Sequence, residues 1–412
     1  MGSAFSIALS ALTANSAALS VVGDNLANMN TTGFKTSGVN FNDLISQSLG
    51  VGGNTSQIGE GVGPITTVQQ FTQGAITTTN GPTDAAIQGN GFFVVQNPQG
   101  STLYTRAGDF QWDANGNLTT SNGDFVQGWL ANGGTINPNG PVSNLTIQTG
   151  SVLAPQATTT MSMNVNLNSS AVVGSSQATF AAPIQVYDSL GNAHTLTATF
   201  TEQAPGNWNY AVTIPAADTT GNTTLASGAV TFDQNGNLTG PPSPIALSAT
   251  NLTDGANDLN INWNLTDASG SGLIGQVNED SGMSSPEQNG FSAGQVTQVG
   301  IENGGQVVAS YSNGQQLTLG QIALASVANP STMVQVGNGN YQVSSATAQA
   351  AVGAPGTNGR GQILGGAVEA STTDMAQQFT ELLTYQNSYQ AASRVITTAD
   401  QLMQDTINLI HQ

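Results

Sequence analysis

Residues 368–412 read VEASTTDMAQQFTELLTYQNSYQAASRVITTADQLMQDTINLIHQ. Val368, Met375, Leu382, Tyr389, Ile396, Met403 and Ile410 fall seven positions apart, and Phe379, Tyr385, Leu402, Ile407 and Leu409 widen the apolar stripe. Seven residues make two helical turns, so a repeat held over this length predicts a coiled-coil-like helix. Ala391, Ala392, Ser393 and Ala399 lie between the large side chains and let a neighbouring helix approach closely. The opposite end follows the same rule. Phe5, Leu12, Leu19 and Leu26 are again seven apart, with Leu9, Val22 and Met29 on the flanking three- and four-residue steps. That helix is expected to fade between Met29 and Gly33, where Asn, Thr and Gly cluster. Periodicity alone leaves open whether these helices pack on their own domain or on other chains. Two short helices flanking a β-rich chain have little else to cover them, which favours association.

Between the ends, Thr, Val and Ile alternate with polar residues. Turn signals recur at Asn115-Gly116, Asn235-Gly236, Asn303-Gly304 and Asn313-Gly314. One echo is visible: Asp113-Ala-Asn-Gly-Asn-Leu-Thr119 and Asp233-Gln-Asn-Gly-Asn-Leu-Thr239, both expected as hairpins. The expected fold is therefore mainly β with α-helical termini. Residues 1–30 and 368–412 form a coiled-coil-like terminal domain, and Gly-rich 31–70 and 355–367 are linkers. A first β domain spans 71–145 and 285–354, with a second, 146–284, inserted in it.

The chain has 412 residues, enough for about three domains. Charged residues make up only 7% of it, against about 25% in ordinary soluble proteins, and neutral polar side chains take their place. Lys35, Arg106, Arg360 and Arg394 face 23 acidic residues, for a formal charge of -19. Nucleic acid binding needs clustered cations to displace phosphate counterions, and an anionic membrane needs the same, so neither is an expected partner. Cysteine is absent, which removes disulfides and thiolate metal sites. No transmembrane helix is expected. The N-terminus lacks a basic stretch before Lys35, and Ser10, Thr13, Asn15 and Ser16 interrupt its apolar run, so it reads as a retained helix rather than a signal peptide.

Motifs for chemistry fail on context. Asp113-x-Asn115-x-Asn117 opens like a calcium loop, but its sixth position is Leu118 and its twelfth Asp124; the copy at Asp233 reaches Pro244. Gly89-Asn-Gly91 precedes a strand pattern instead of opening a helix, so it is no dinucleotide site. His194 and His411 stand without neighbouring Cys or an acidic cluster, and His194 sits in an alternating strand pattern. No nucleophile elbow or phosphate loop occurs. The expectation is no catalytic residue, no cofactor and no metal.

Asn25-Leu-Ala-Asn28-Met-Asn-Thr-Thr-Gly33-Phe34-Lys35 resembles the N-terminal signature of the rod and hook axial protein family of the bacterial flagellum. Gly33 suits the backbone angles that end a helix, and Phe34 can anchor the emerging chain. The C-terminus is similar, from Glu369-Ala-Ser-Thr-Thr-Asp374 through Phe379-Thr-Glu-Leu-Leu to Tyr385-Gln-Asn-Ser-Tyr-Gln-Ala-Ala-Ser-Arg394. It departs in carrying Gln386-Asn387 where a Gln-Arg pair is common, and Ala392 where Asn is common. Ile87-Gln-Gly-Asn-Gly-Phe-Phe-Val94 and Tyr104-Thr-Arg106-Ala-Gly108 resemble the family's first β domain. Gly128-Trp129, Ile184-Gln-Val-Tyr187-Asp188-Ser-Leu-Gly191-Asn-Ala-His194 and Leu319-Gly-Gln-Ile-Ala-Leu-Ala325 look closer to hook than to rod members.

The resemblance implies a non-enzymatic subunit that polymerises into a curved extracellular tube. Its assembly residues would be Phe5, Leu9, Leu12, Leu19, Val22 and Leu26 at one end. At the other they would be Met375, Phe379, Leu382, Tyr385, Tyr389, Ile396, Met403, Ile407 and Ile410. Implied partners are the chain itself, the distal rod, a hook cap, hook–filament junction proteins and the flagellar type III export apparatus. Other readings are a distal-rod subunit, which lacks the inserted domain, and a secreted β-rich adhesin, which leaves the two heptad ends unexplained.

Overall fold

The computed structural model describes residues 2–44, 47–49, 56–148, 150 and 152–410. Two helices, α1 (Gly2–Ala27) and α2 (Met375–Ile410), bracket a chain of short strands. The chain divides into two compact units. The first comprises 1–149, 299–309 and 317–412; the second comprises 150–298 and 310–316.

In the first unit the strand Phe92–Gln96 lies between Thr102–Thr105 and Phe125–Leu130, antiparallel to both. Asn340–Gln342 extends the sheet beyond Thr102–Thr105. Phe92, Val94, Tyr104, Ala325, Met333 and Tyr341 form a buried cluster. Phe71 closes it, meeting Phe92 and Tyr341 edge-on at ring-centroid distances of 5.4 and 5.2 Å, a geometry that aromatic quadrupoles favour.

Both stretches expected as linkers carry strands. Ser37–Asn40 pairs with Thr66–Gln69, and Gln362–Gly365 pairs with Ala85–Gln88. Val39, Thr66, Thr67, Val68 and Ile363 supply β-branched side chains to these pairs despite the glycines. Ala367–Glu369 pairs with Ile76–Thr78, so Val368 belongs to a strand and not to the helical repeat in which the sequence placed it. The helix begins only after Asp374, whose Oδ1 accepts from the backbone N–H groups of Ala376 (2.8 Å) and Gln377 (3.1 Å). This N-cap satisfies donors the first turn leaves free.

The second unit is two five-stranded sheets sharing one core. In the first sheet, Thr160–Asn168 runs parallel to Leu259–Asn264 and Ile274–Val277 and antiparallel to Gly282–Gln288. The other is an antiparallel meander from Thr179–Tyr187 through Ala193–Ala204, Asn207–Thr213 and Thr224–Phe232 to Leu238–Gly240. Strict alternation along Ala193–Ala204 turns His194, Leu196, Ala198 and Phe200 inward. Leu196, Ala198 and Phe200 pack with Trp208, Trp263, Met161 and Met163.

Four turns share one construction. At Asp113, Asp233, Asp267 and Asp188, one carboxylate oxygen accepts two backbone N–H groups of the turn, at residues two and four positions on. A glycine with positive φ follows three residues after each aspartate (Gly116, Gly236, Gly270 and Gly191). In the echo pair, Asn117 and Asn237 also donate side-chain hydrogen bonds to the second oxygen, at 2.8 and 3.0 Å. In the echo pair both oxygens of the carboxylate are spent on the chain itself, which is why a calcium-loop opening leads to a plain turn.

Candidate functional site: an assembly surface

The helices α1 and α2 pack against each other. Asn25, near the end of α1, donates through Nδ2 to Gln378 Oε1 of α2 (2.9 Å), so the two run antiparallel from a common root. The buried positions of α1 are small: Ala8, Ala14 and Ala18, then Val22 and Asn25. This face lies about 100° around the helix from the leucine stripe, since each residue turns about 100°. Only Val22 of the predicted stripe is buried; Leu12, Leu19 and Leu26 are half-buried, and Phe5 and Leu9 are exposed. The buried face of α1 is thus mostly alanine, and the large side chains remain partly uncovered.

On α2, Leu382, Tyr385 and Ile396 are half-buried, while Met375, Phe379, Tyr389, Met403 and Ile407 are exposed. Tyr385 meets Phe41 at 5.8 Å between ring centroids. Leu383, Val395 and Leu402 are also exposed, at 59%, 49% and 54%; Leu383 and Val395 escape a seven-residue rule because they sit beside the stripe. Residues 400–408 are exposed throughout. With 36 residues against 26, α2 outruns α1 by roughly 15 Å. The side chain of Ile410 and all of His411 lie outside the described residues.

Contrary to the expectation of no spanning helix, Phe5–Ala27 is long and apolar enough, by length and composition alone, to cross a membrane. Its alanines raise the average, and several of its polar side chains donate to carbonyls of the same helix. Ser10 donates to Ile7 O (2.8 Å), Thr13 to Ser10 O (2.9 Å) and Asn15 to Ala11 O (2.7 Å).

Where the helices meet the body, three separated motifs converge. Lys35 Nζ donates to Glu369 Oε1 (2.7 Å) and to Thr72 O (2.6 Å). Arg106 donates to Glu369 Oε2 (3.1 Å) and Gly89 O (2.9 Å), its guanidinium 5.4 Å from the centre of the Phe92 ring. The N–H of Gly74 also donates to Glu369 Oε1 (2.8 Å), and that of Gly33 donates to the Glu369 carbonyl (2.8 Å). All three charged side chains are buried. Burial pulls the Lys35 ammonium and the Arg106 guanidinium below their ordinary values, and Glu369 works against that pull on both. Gly33 has φ +68°, and a Cβ there would lie 2.5 Å from the Arg106–Ala107 backbone. Phe34 is buried beside it; Asn28 holds the turn by donating to Asp24 O (3.0 Å) and accepting from Thr31 (3.2 Å). Asn25 adds a two-way link to Ser37, accepting from its N–H and donating to its carbonyl, both at 2.9 Å.

Lys35, Arg106 and Glu369 stand in separate motifs of the sequence, which carries no sign that they meet. Two cations and one doubly engaged carboxylate make a rigid anchor. The helices rising from it offer apolar surface to a partner.

Comparison with known proteins agrees along the chain. Residues 5–35 match the flagella basal body rod protein family and 86–167 the flagellar hook protein FlgE/F/G D1 domain. Residues 173–291 match the flagellar basal body protein FlaE D2 domain and 364–409 the flagellar basal body rod FlgEFG protein C-terminal family. The flagellar hook protein FlgE of Treponema pallidum is 33% identical, over 95% of this chain and 96% of its own. That of Escherichia coli K12 is 31% identical, over 98% and 100%. The crystal structure of Helicobacter pylori flagellar hook protein FlgE2 covers 70% of this chain and 99% of its own, with a TM-score of 0.51 at 14% identity. That likeness is one of fold.

Proposed function

The chain belongs to the flagellar hook protein FlgE family, and from that premise we propose how it assembles: the surface of α1 and α2 is the polymerising element. The protein is a structural subunit of the bacterial flagellar hook, a self-assembling, curved and flexible tube that acts as a universal joint between rod and filament. Its family is structural rather than enzymatic.

The observation that carries the reading is the pair of helices with large apolar side chains uncovered, Phe5 and Leu9 on one and Phe379, Leu383, Leu402 and Ile407 on the other. Burying such surface contributes about 25 cal/mol per Å². A head-to-tail contact that does not close a ring gives an open helical polymer. Asn25, Asn28, Gly33, Phe34 and Lys35 set the angle at which α1 leaves the body. The second unit has no Lys or Arg with which to form fixed ion pairs, so its polar side chains exchange hydrogen bonds with water as neighbouring subunits slide and the tube bends.

Export proceeds by the flagellar type III route to an extracellular position. Distal rod, hook cap and hook–filament junction proteins are the neighbours along the axis. The test is immunogold electron microscopy of intact flagella with antibody to residues 146–284. Gold confined to the short curved segment between basal body and filament supports the assignment. Gold on the straight rod would move the subunit down the axis.

A further inference from the structure

The second unit of the hook subunit carries a cluster of titratable side chains apart from the two helices. His194 is buried, its side chain 6% exposed, with aspartates on both ring nitrogens. Nε2 lies 3.3 Å from Asp188 Oδ2 and 3.3 Å from Asp254 Oδ2. On the other side, Nδ1 is 3.2 Å from Asp218 Oδ2 but is not aligned for a hydrogen bond. All four residues belong to the second unit.

We propose that Asp188, His194 and Asp254 bind a divalent transition-metal ion of the zinc class, with Asp218, 3.2 Å from the far ring nitrogen, as the carboxylate that takes up its N–H when the ring turns onto the ion. One ring nitrogen has one lone pair or one proton, and it cannot serve two carboxylates well. Both separations exceed the 2.7–2.9 Å usual for charge-assisted hydrogen bonds. They match the edge of a coordination tetrahedron, about 3.3–3.4 Å for metal–ligand bonds of roughly 2.0–2.1 Å. The donor atoms of Asp188, His194 and Asp254 all lie within 4.8 Å of one another.

The oxygens are pre-aimed. Asp188 Oδ1 is held by the N–H groups of Leu190 (2.8 Å) and Asn192 (2.9 Å), and Asp254 Oδ1 by that of Ala256 (3.0 Å). Asn192 Nδ2 donates to both Oδ2 atoms at 3.1 Å, which keeps them together. A carboxylate on the far nitrogen of a ligating histidine is the usual outer-shell device for fixing tautomer and ring orientation. An imidazole with two carboxylates prefers zinc-like ions over calcium or magnesium, which favour all-oxygen sites. Asp254 is 25% exposed, giving a route in and room for a water as fourth ligand. Of the four Asp turns, this one has a histidine two residues past its Asn, at His194.

The test uses the full-length, chelator-stripped chain, dialysed against Zn²⁺, Ca²⁺ or Mg²⁺, with metal content and thermal melting measured. One retained Zn²⁺ per chain, a midpoint rising with free Zn²⁺, and indifference to Ca²⁺ and Mg²⁺ are expected. Asp254→Asn should abolish retention. Asp218→Asn should weaken affinity about 10–100-fold at unchanged stoichiometry. Both aspartates are partly exposed, so the metal-free variants should melt close to the metal-free parent. Failure to retain Zn²⁺, or equal retention by Asp254→Asn and Asp218→Asn, overturns the proposal and leaves an ion-paired imidazole.

Discussion

Glu369 is the residue on which most of the anchor depends. Replacing it leaves Lys35 and Arg106 buried with no counter-charge, which typically costs about 3–5 kcal/mol. Glu369→Gln should therefore lower stability by that amount in urea unfolding of the monomer; a loss below about 1 kcal/mol would show that the cluster is not held by charge. Gly33→Ala meets two obstacles, a left-handed backbone and an occupied Cβ position 2.5 Å from the Arg106–Ala107 backbone. The first alone costs about 1–2 kcal/mol, and the variant should lose more than that in the same assay. The glycine and lysine were legible as a motif because only Phe34 separates them. Their partners were not, because Arg106 and Glu369 lie far along the chain and only tertiary pairing brings them in. The same distance hid Asp218 and Asp254 from His194.

Among the elements, the helices announce themselves through their period and the turns through Asn-Gly. The period could not say which face is covered at home. The buried side chains of α1 are mostly alanines, and the large residues beside them stay partly uncovered. Phe379→Ser combined with Leu402→Ser should change monomer stability by less than about 0.5 kcal/mol, since both sites are exposed. Polymerisation should require at least tenfold more protein, read by sedimentation and electron microscopy; unchanged assembly would place the contact elsewhere. The Asp turns predict an acid response. Hydrogen bonds from the Asn117 side chain and backbone hold Asp113 below the ordinary 3.8. Because folding depresses this pKa, the turn's contribution is complete above 3.8 and fades as pH falls through the lower, folded value. NMR titration of the Asp113 carboxyl should give a midpoint below 3.8, and one at or above it would mean the turn does not hold the charge.

For the whole molecule, the charge balance sets the terms of assembly. Of four basic residues, Lys35 and Arg106 are buried, leaving the acidic excess at the surface nearly unanswered. Subunits repel one another over a screening length of about 10 Å at 0.1 M salt. Raising ionic strength should therefore lower the concentration needed to polymerise, and a rise would mean that attractive ion pairs dominate the contact. The hydrogen bond from Gly33 to Glu369, with the Lys35 contact beside it, also has a mechanical meaning. It closes a loop over nearly the whole chain without a covalent link. A pull that parts the two helices is met at this clasp, by several bonds loaded side by side, and the strands enclosed by the loop carry no tension until it opens. The subunit has its fuse at the helix roots, so overload would release the tails before it tore a sheet.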